Sequence, residues 1–188
     1  MDVVERAKAM ILSPAAEWRR IEPEPGGAGD LFVPYVAWLA AIPPVCAVLR
    51  RGLSGWGPRL HHLHHHGLFA GLAGGIARYL ATFVALYLMA LAIDGLAPNF
   101  SARRDPGNAL KLAVYSMTPV WLAGVFALIP GLGFLRIVAL IYTVYVFWLG
   151  LPVLMKPPAD KFGPYAVATV VCGVVLSMVV AAVVGPAG

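Results

Sequence analysis

Five long apolar runs, at 31–49, 67–97, 112–129, 137–154 and 166–184, occupy most of the 188-residue chain and leave it very few folds. A helix advances about 1.5 Å per residue, so the runs of 18 or 19 residues each reach ~27–28 Å, close to the thickness of a bilayer's hydrocarbon core. Closed β-barrels also span membranes, but their strands alternate apolar and polar residues, whereas these runs are apolar on every face. The expected fold is an all-α integral membrane protein, a compact bundle of five transmembrane helices at 31–188 behind a short amphipathic cytoplasmic or interfacial segment at 1–30. Composition agrees: 60% of residues are hydrophobic and 12% charged, against roughly 25% charged in a soluble domain. The second run is longer than one crossing needs. Arg78 divides it into a Gly-rich approach, 67–77, and a cleaner crossing from Tyr79, the pattern of an interfacial approach or a tilted helix with a snorkelling Arg.

Residues 1–30 carry Asp2, Glu5, Glu17, Glu22, Glu24 and Asp30 with no basic stretch leading into a short apolar core, so no signal peptide is expected. Assigning loops to alternate sides puts nine of the 14 Lys and Arg with the amino terminus and five opposite. The positive-inside rule then expects the amino terminus in the cytoplasm and the carboxyl terminus outside. The net charge of +5 is scattered over short loops, a distribution that favours anionic lipid headgroups and gives no stripe for nucleic acid. Cys46 and Cys172 are expected about 22 Å and 9 Å from the same face, too far apart for a disulfide within one chain.

Within the amino-terminal segment, Val4, Ala7 and Ile11 recur at helical spacing and expect a short amphipathic helix. Ser13 as N-cap and Pro14 at the first helical position open a second one through Trp18 and Ile21, which Pro23-Glu24-Pro25-Gly26-Gly27 ends. Such a pair fits the headgroup region with Trp18 as aromatic anchor, either positioning the first span or offering a surface to a partner.

Ionisable groups cost roughly 2.5–3.5 kcal/mol inside a span on insertion scales, which singles out Asp94 at the end of the second span, with Lys111 at the start of the third as its expected partner. Tyr115, Thr118, Pro119 and Leu122 share one face of the third span, flanked by Ser116. Pro119 frees the Tyr115 carbonyl, which a hydroxyl or a neighbouring helix has to satisfy. Tyr145 and Lys156 extend the polar pattern from the fourth span. These eight residues are the candidate ligand- or partner-binding set, whose plainer role is packing between helices. His61, His64 and His65 have helical spacing for a divalent metal, but no carboxylate or thiol adjoins them, so they are weak candidates and no metal is expected. Hydrolase, zinc-protease and P-loop signatures are absent from the sequence, so neither a catalytic residue nor a cofactor is expected.

The segments Leu96-Ala97-Pro98-Asn99-Phe100, Ala109 to Pro119 with its Tyr-Ser-Met-Thr-Pro ending, Ile129-Pro130-Gly131-Leu132-Gly133, and Tyr142 to Pro157 with Gly-Leu-Pro-Val-Leu-Met-Lys resemble the Yip1 domain family. Ser13-Pro14 through Trp18 and Ile21 is similar to the motif that bacterial members carry before the first span. The resemblance covers nearly the whole chain and implies five spans with a cytoplasmic amino terminus and no catalytic residues. Eukaryotic relatives act in vesicle trafficking with Rab-type GTPases and with one another; the very short amino-terminal region here keeps that GTPase role from being carried over. Fold transfers better than function. The expected function is non-enzymatic membrane organisation, trafficking-like activity or protein assembly through the cytoplasmic face and lateral contacts, with lipids, copies of itself or other membrane proteins as partners. The alternatives are a small solute or ion transporter with a polar pathway near Asp94 and Tyr115, and a lipid-handling protein.

Overall fold

A computed structural model describes residues 2–54, 66–129 and 131–184; His61, His64 and His65 lie outside them. Two short helices, α1 (Val3–Leu12) and α2 (Pro14–Ile21), precede five helical spans. Asp2 caps α1 by accepting from the Val4 N–H. Pro14 opens α2 as its fixed φ favours, although the Ser13 side chain makes no capping bond.

The first span, Ala28–Arg50, is broken where an unbroken helix was expected. It comprises α3 (Ala28–Leu31), a π-helical turn (Phe32–Val36), α4 (Ala37–Leu39) and α5 (Ile42–Ser54). Pro34 has no N–H to give and widens the turn around it, while Pro43 and Pro44 fit only the first turn of a new helix. By contrast α6 (His66–Leu96) runs unbroken past Arg78, without the separate approach that was one of the two expectations and in keeping with the single long helix of the other; its 31 residues make a helix of about 46 Å. The third span, Pro106–Leu128, consists of α7 (Pro106–Ser116), α8 (Thr118–Leu122) and a 3₁₀ segment, Ala123–Leu128. A left-handed Gly131 and a short 3₁₀ turn lead into α9 (Leu135–Leu154), and α10 (Ala159–Val184) closes the bundle. The last three spans begin five to seven residues before the apolar runs do, as polar residues such as Asn108, Lys111 and Asp160 join the first turns of the third and fifth.

The third span is the axis of the bundle: 72% of its most apolar window is buried, against 11% for the fifth. It packs on α6 and α9, and α10 covers α6. The outward faces of α9 and α10 carry Ile137, Ile141, Val171, Val175 and Met178, which suit lipid contact. Cys46 and Cys172 are unpaired.

The amino-terminal helices form an antiparallel hairpin inserted into the bundle. Tyr142 OH donates to the Ile11 carbonyl at 2.7 Å, and Tyr142 stands twelve residues from the end of α9, about 18 Å along its axis. Trp18, expected as a headgroup anchor, is fully buried. The buried stripe of α1 runs through Arg6, Ala7 and Met10, with Val3 packed beside them, while Val4 is exposed. This is the expected stripe turned by one residue, about 100°, because the hairpin packs against helices instead of lying on a flat interface.

Candidate functional site

Polar side chains gather where the hairpin meets the third and fourth spans. Pro119 ends α7, and the Tyr115 carbonyl it leaves free is satisfied as expected: Thr118 Oγ1 donates to it at 2.7 Å. The Thr118 hydroxyl also bonds the Tyr35 hydroxyl of the first span at 2.8 Å. The Tyr115 ring meets Tyr35 and Trp18 edge-on at centroid distances of 4.8 and 6.3 Å. On the hairpin side, the Arg6 guanidinium lies 5.6 Å from the centre of that ring. Arg6 pairs with Glu17 at 2.6 Å and with Glu24; Arg6 and Glu17 are only 5% and 1% exposed. Trp18 Nε1 donates to the Val146 carbonyl at 3.0 Å, and the indole sits where a Cβ on Gly150 would come within 2.5 Å of it. Gly150 in α9 is therefore the seat for the Trp18 ring.

Nearer the amino-terminal face, Lys111 Nζ donates to the Ile21 and Glu22 carbonyls at 3.0 and 2.9 Å and to Asn108 Oδ1 at 3.0 Å. A cation is thus placed on the terminal carbonyls of α2, where unsatisfied acceptors and the helix dipole both favour it. Asn108 in turn donates to Asp105, the N-cap of α7. Lys156 ends α9 in a left-handed conformation, φ 47°, and pairs with Glu22. Hydrogen bonding to Lys156 holds the Glu22 carboxyl below its usual range; burial opposes this, and the charges of Lys156, Arg103 and Lys111 reinforce it. Between these groups opens a cleft of about 490 Å³, with Arg19, Glu22, Glu24, Arg103, Asp105 and Lys111 on its walls.

The candidate residues therefore divide. Lys111 and Lys156 adjoin this cleft, and Tyr115, Thr118 and Pro119 build the packed layer beneath it. Ser116 is buried with its hydroxyl unpartnered. Asp94 does not pair with Lys111: Arg104 reaches it at 3.1 Å, because Lys111 is turned toward the hairpin. Tyr145 is half exposed beside Tyr142 and takes no part; Tyr142, one turn earlier, makes the hairpin contact. Sequence reasoning missed Arg6 and Glu17, which were not among the candidate residues. The available signal was their spacing, since Glu17, Trp18 and Ile21 share one face of α2.

A family model of the Yip1 domain matches residues 8–182. The chain belongs to the Yip1 domain family. This membrane family's domain takes in α2 and all five spans, whereas Arg6 precedes the matched region. Among curated proteins, the inner membrane protein YohC of Escherichia coli strain K12 is 27% identical over 148 residues, covering 77% of this chain and 76% of its own. YohC from a second E. coli strain, O6:H1, matches to the same extent. No solved structure matches. Among the described residues no group of His, Cys, Asp and Glu could hold a metal ion.

Proposed function

We propose that this Yip1-domain protein is a non-enzymatic organiser of the inner membrane that assembles with other membrane proteins, copies of itself included, through its amino-terminal face and lateral contacts. The observation that carries this reading is the mixed-charge cleft formed where the end of α2 meets the loop before the third span. Its buried members are committed to one another, so they act as scaffold, while Arg19 and Arg103 are exposed on its walls. A surface of alternating charge on a rigid support suits another polypeptide better than a reacting small molecule. Its side is the cytoplasm, as the charge bias of the loops indicates, and the likeness to YohC supports an inner-membrane location.

The test is site-specific photocrosslinking in membranes, from position 19 with and without Arg103→Glu and from position 103 with and without Arg19→Glu. Discrete protein adducts that disappear in the charge-reversed variants support the reading. Adducts that persist unchanged, or label confined to lipid, count against it. A small-solute transporter is the second reading, favoured by the buried Arg6–Glu17 pair and the unpartnered hydroxyls of Ser116 and Thr143. Flux into proteoliposomes that Glu17→Gln abolishes would select it instead.

A further inference from the structure

In the cleft at the end of α2, the carboxylates and the cations are satisfied unequally. The linker after α2 lies so close to the loop before the third span that a Cβ on Gly26 would come within 2.7 Å of the Gly107 carbonyl carbon, which gives the cleft a backbone floor. Three carboxylates stand on the walls, and each is already closed on a cation of the protein itself: Glu22 on Lys156, Glu24 on Arg6, and Asp105 on Arg103 at 3.2 Å. Asp105 also accepts from the Asn108 backbone and side chain, both at 3.0 Å. Lys111 directs its three N–H donors at the Ile21 and Glu22 carbonyls and at Asn108 Oδ1, all neutral oxygens, so no carboxylate touches its charge. It thereby takes the terminal carbonyls of α2 that a basic residue of the last turn would otherwise find. Arg19, exposed in that last turn, is left with no side-chain partner among the described residues. Arg103 is fixed by its backbone N–H on the Met155 carbonyl at 2.8 Å, while its guanidinium, 59% exposed, holds Asp105 only as a weak surface pair.

The cleft therefore offers donors and positive charge, and its carboxylates are taken. An occupant has to bring anionic oxygens, the groups that a guanidinium fork matches. Position decides where they come from. The cleft lies over the start of the third span, the buried axis of the bundle, and not beside the lipid-facing sides of α9 and α10. It is reached from water. Its walls are charged, unlike the mostly apolar pockets that hold small ligands. A second copy of the chain is a poor source, because apart from Glu22 and Glu24 in the cleft itself no two of its nine Asp and Glu lie closer than three residues apart.

We propose, resting on the assembly reading, that the cleft receives an acidic segment of a different protein, with carboxylates on Arg19 and Arg103. The two guanidinium groups supply the contacts, one from each element that forms the cleft. The buried charge of Lys111 adds attraction without a bond of its own, and the paired carboxylates of the walls repel segments of the wrong register.

Fluorescence anisotropy of labelled hexaglutamate and hexalysine, added to the full chain in nanodiscs of phosphatidylcholine, tests the preference. Hexaglutamate is expected to bind about tenfold more tightly than hexalysine. Arg19→Gln should weaken it about fivefold, and Arg19→Gln with Arg103→Gln should weaken it further. Arg20→Gln is the control, since Arg20 faces Glu17 at 3.6 Å outside the cleft, and it should change binding less than about twofold. Equal binding of the two peptides overturns the proposal. So do equal losses in Arg19→Gln and Arg20→Gln, which would report only the general attraction of a chain of net charge +5. Photocrosslinking in membranes from position 23, on the cleft wall with both arginines intact, distinguishes two failures. Adducts on segments rich in Asp and Glu support the proposal. Adducts on segments without net negative charge leave assembly standing and refute the acidic partner, whereas no protein adduct at all defeats assembly through the cleft and the proposal with it.

Discussion

Arg6 and Glu17 are both buried, and each finds opposite charge within the protein: Arg6 in Glu17 and Glu24, Glu17 in Arg6 and, at 3.6 Å, in Arg20. Removing one member of such a pair typically costs about 3–5 kcal/mol, mostly because its partner is left charged and buried, whereas replacing both with apolar groups often costs little. Arg6→Met is therefore expected to destabilise the protein by that amount, and Arg6→Met with Glu17→Met by clearly less than the sum of the single effects. Chemical unfolding in detergent measures all three variants, and additive costs would argue against a coupled pair. At Lys156 the left-handed backbone suits Gly and costs any other residue about 1–2 kcal/mol. Hence Lys156→Gly should be more stable than Lys156→Ala by about 1 kcal/mol, although both lose the contact to Glu22. Thermal unfolding of the two variants side by side provides the check. The Glu22 carboxyl is held below its usual range in the folded protein, so its contribution is present above the unfolded value and is lost as pH falls through the folded one. Acid titration should show a loss of stability below about pH 4.5 that is smaller in Glu22→Gln.

At the level of elements, the break in the third span is a local exchange of partners. Pro119 withholds an N–H and Thr118 supplies a hydroxyl to the same Tyr115 carbonyl. Thr118→Val should cost about 1–3 kcal/mol by taking the hydroxyl away from that buried carbonyl and from Tyr35. In a Pro119→Ala background the cost should shrink, because residue 119 regains the N–H that closes the turn. A double-mutant cycle by chemical unfolding tests this, and equal costs in both backgrounds would show that the carbonyl is satisfied by some other route. This part of the site was legible in the sequence because donor, acceptor and breaker lie within five residues. The spans were legible for a related reason: lipid demands length and uniform apolarity, and both can be counted along the chain. The partner of Asp94 was not legible. Lys111 and Arg104 lie at comparable distances along the chain, and the choice between them turns on where α2 ends in space. Burial of the hairpin was equally hidden, since the seat for Trp18 is a glycine 132 residues further along.

Across the whole molecule, the hairpin makes the amino-terminal end of the bundle a closed, packed layer. In a background of Cys46→Ala and Cys172→Ala, single cysteines at Arg20 and at Trp18 should respond oppositely to a membrane-impermeant maleimide. Position 20 is expected to react at the rate of an exposed thiol and position 18 at least tenfold more slowly, as mass spectrometry of timed samples would show. Equal rates would mean that α2 lies on the surface. If Trp18→Cys unfolds, Met10→Cys, on the buried stripe of α1, serves in its place.

The Trp18 contact to Gly150 also dictates a sequence of events in time. The ribosome makes residues 2–24 well before Val146 and Gly150, which receive them and belong to the fourth span, so three spans are made in between. Until then a short segment with a bare indole and opposite charges has to wait on the side where it was synthesised, without its final partners. A segment translated ahead of all five spans is thus among the last to reach its place, and its docking closes the fold.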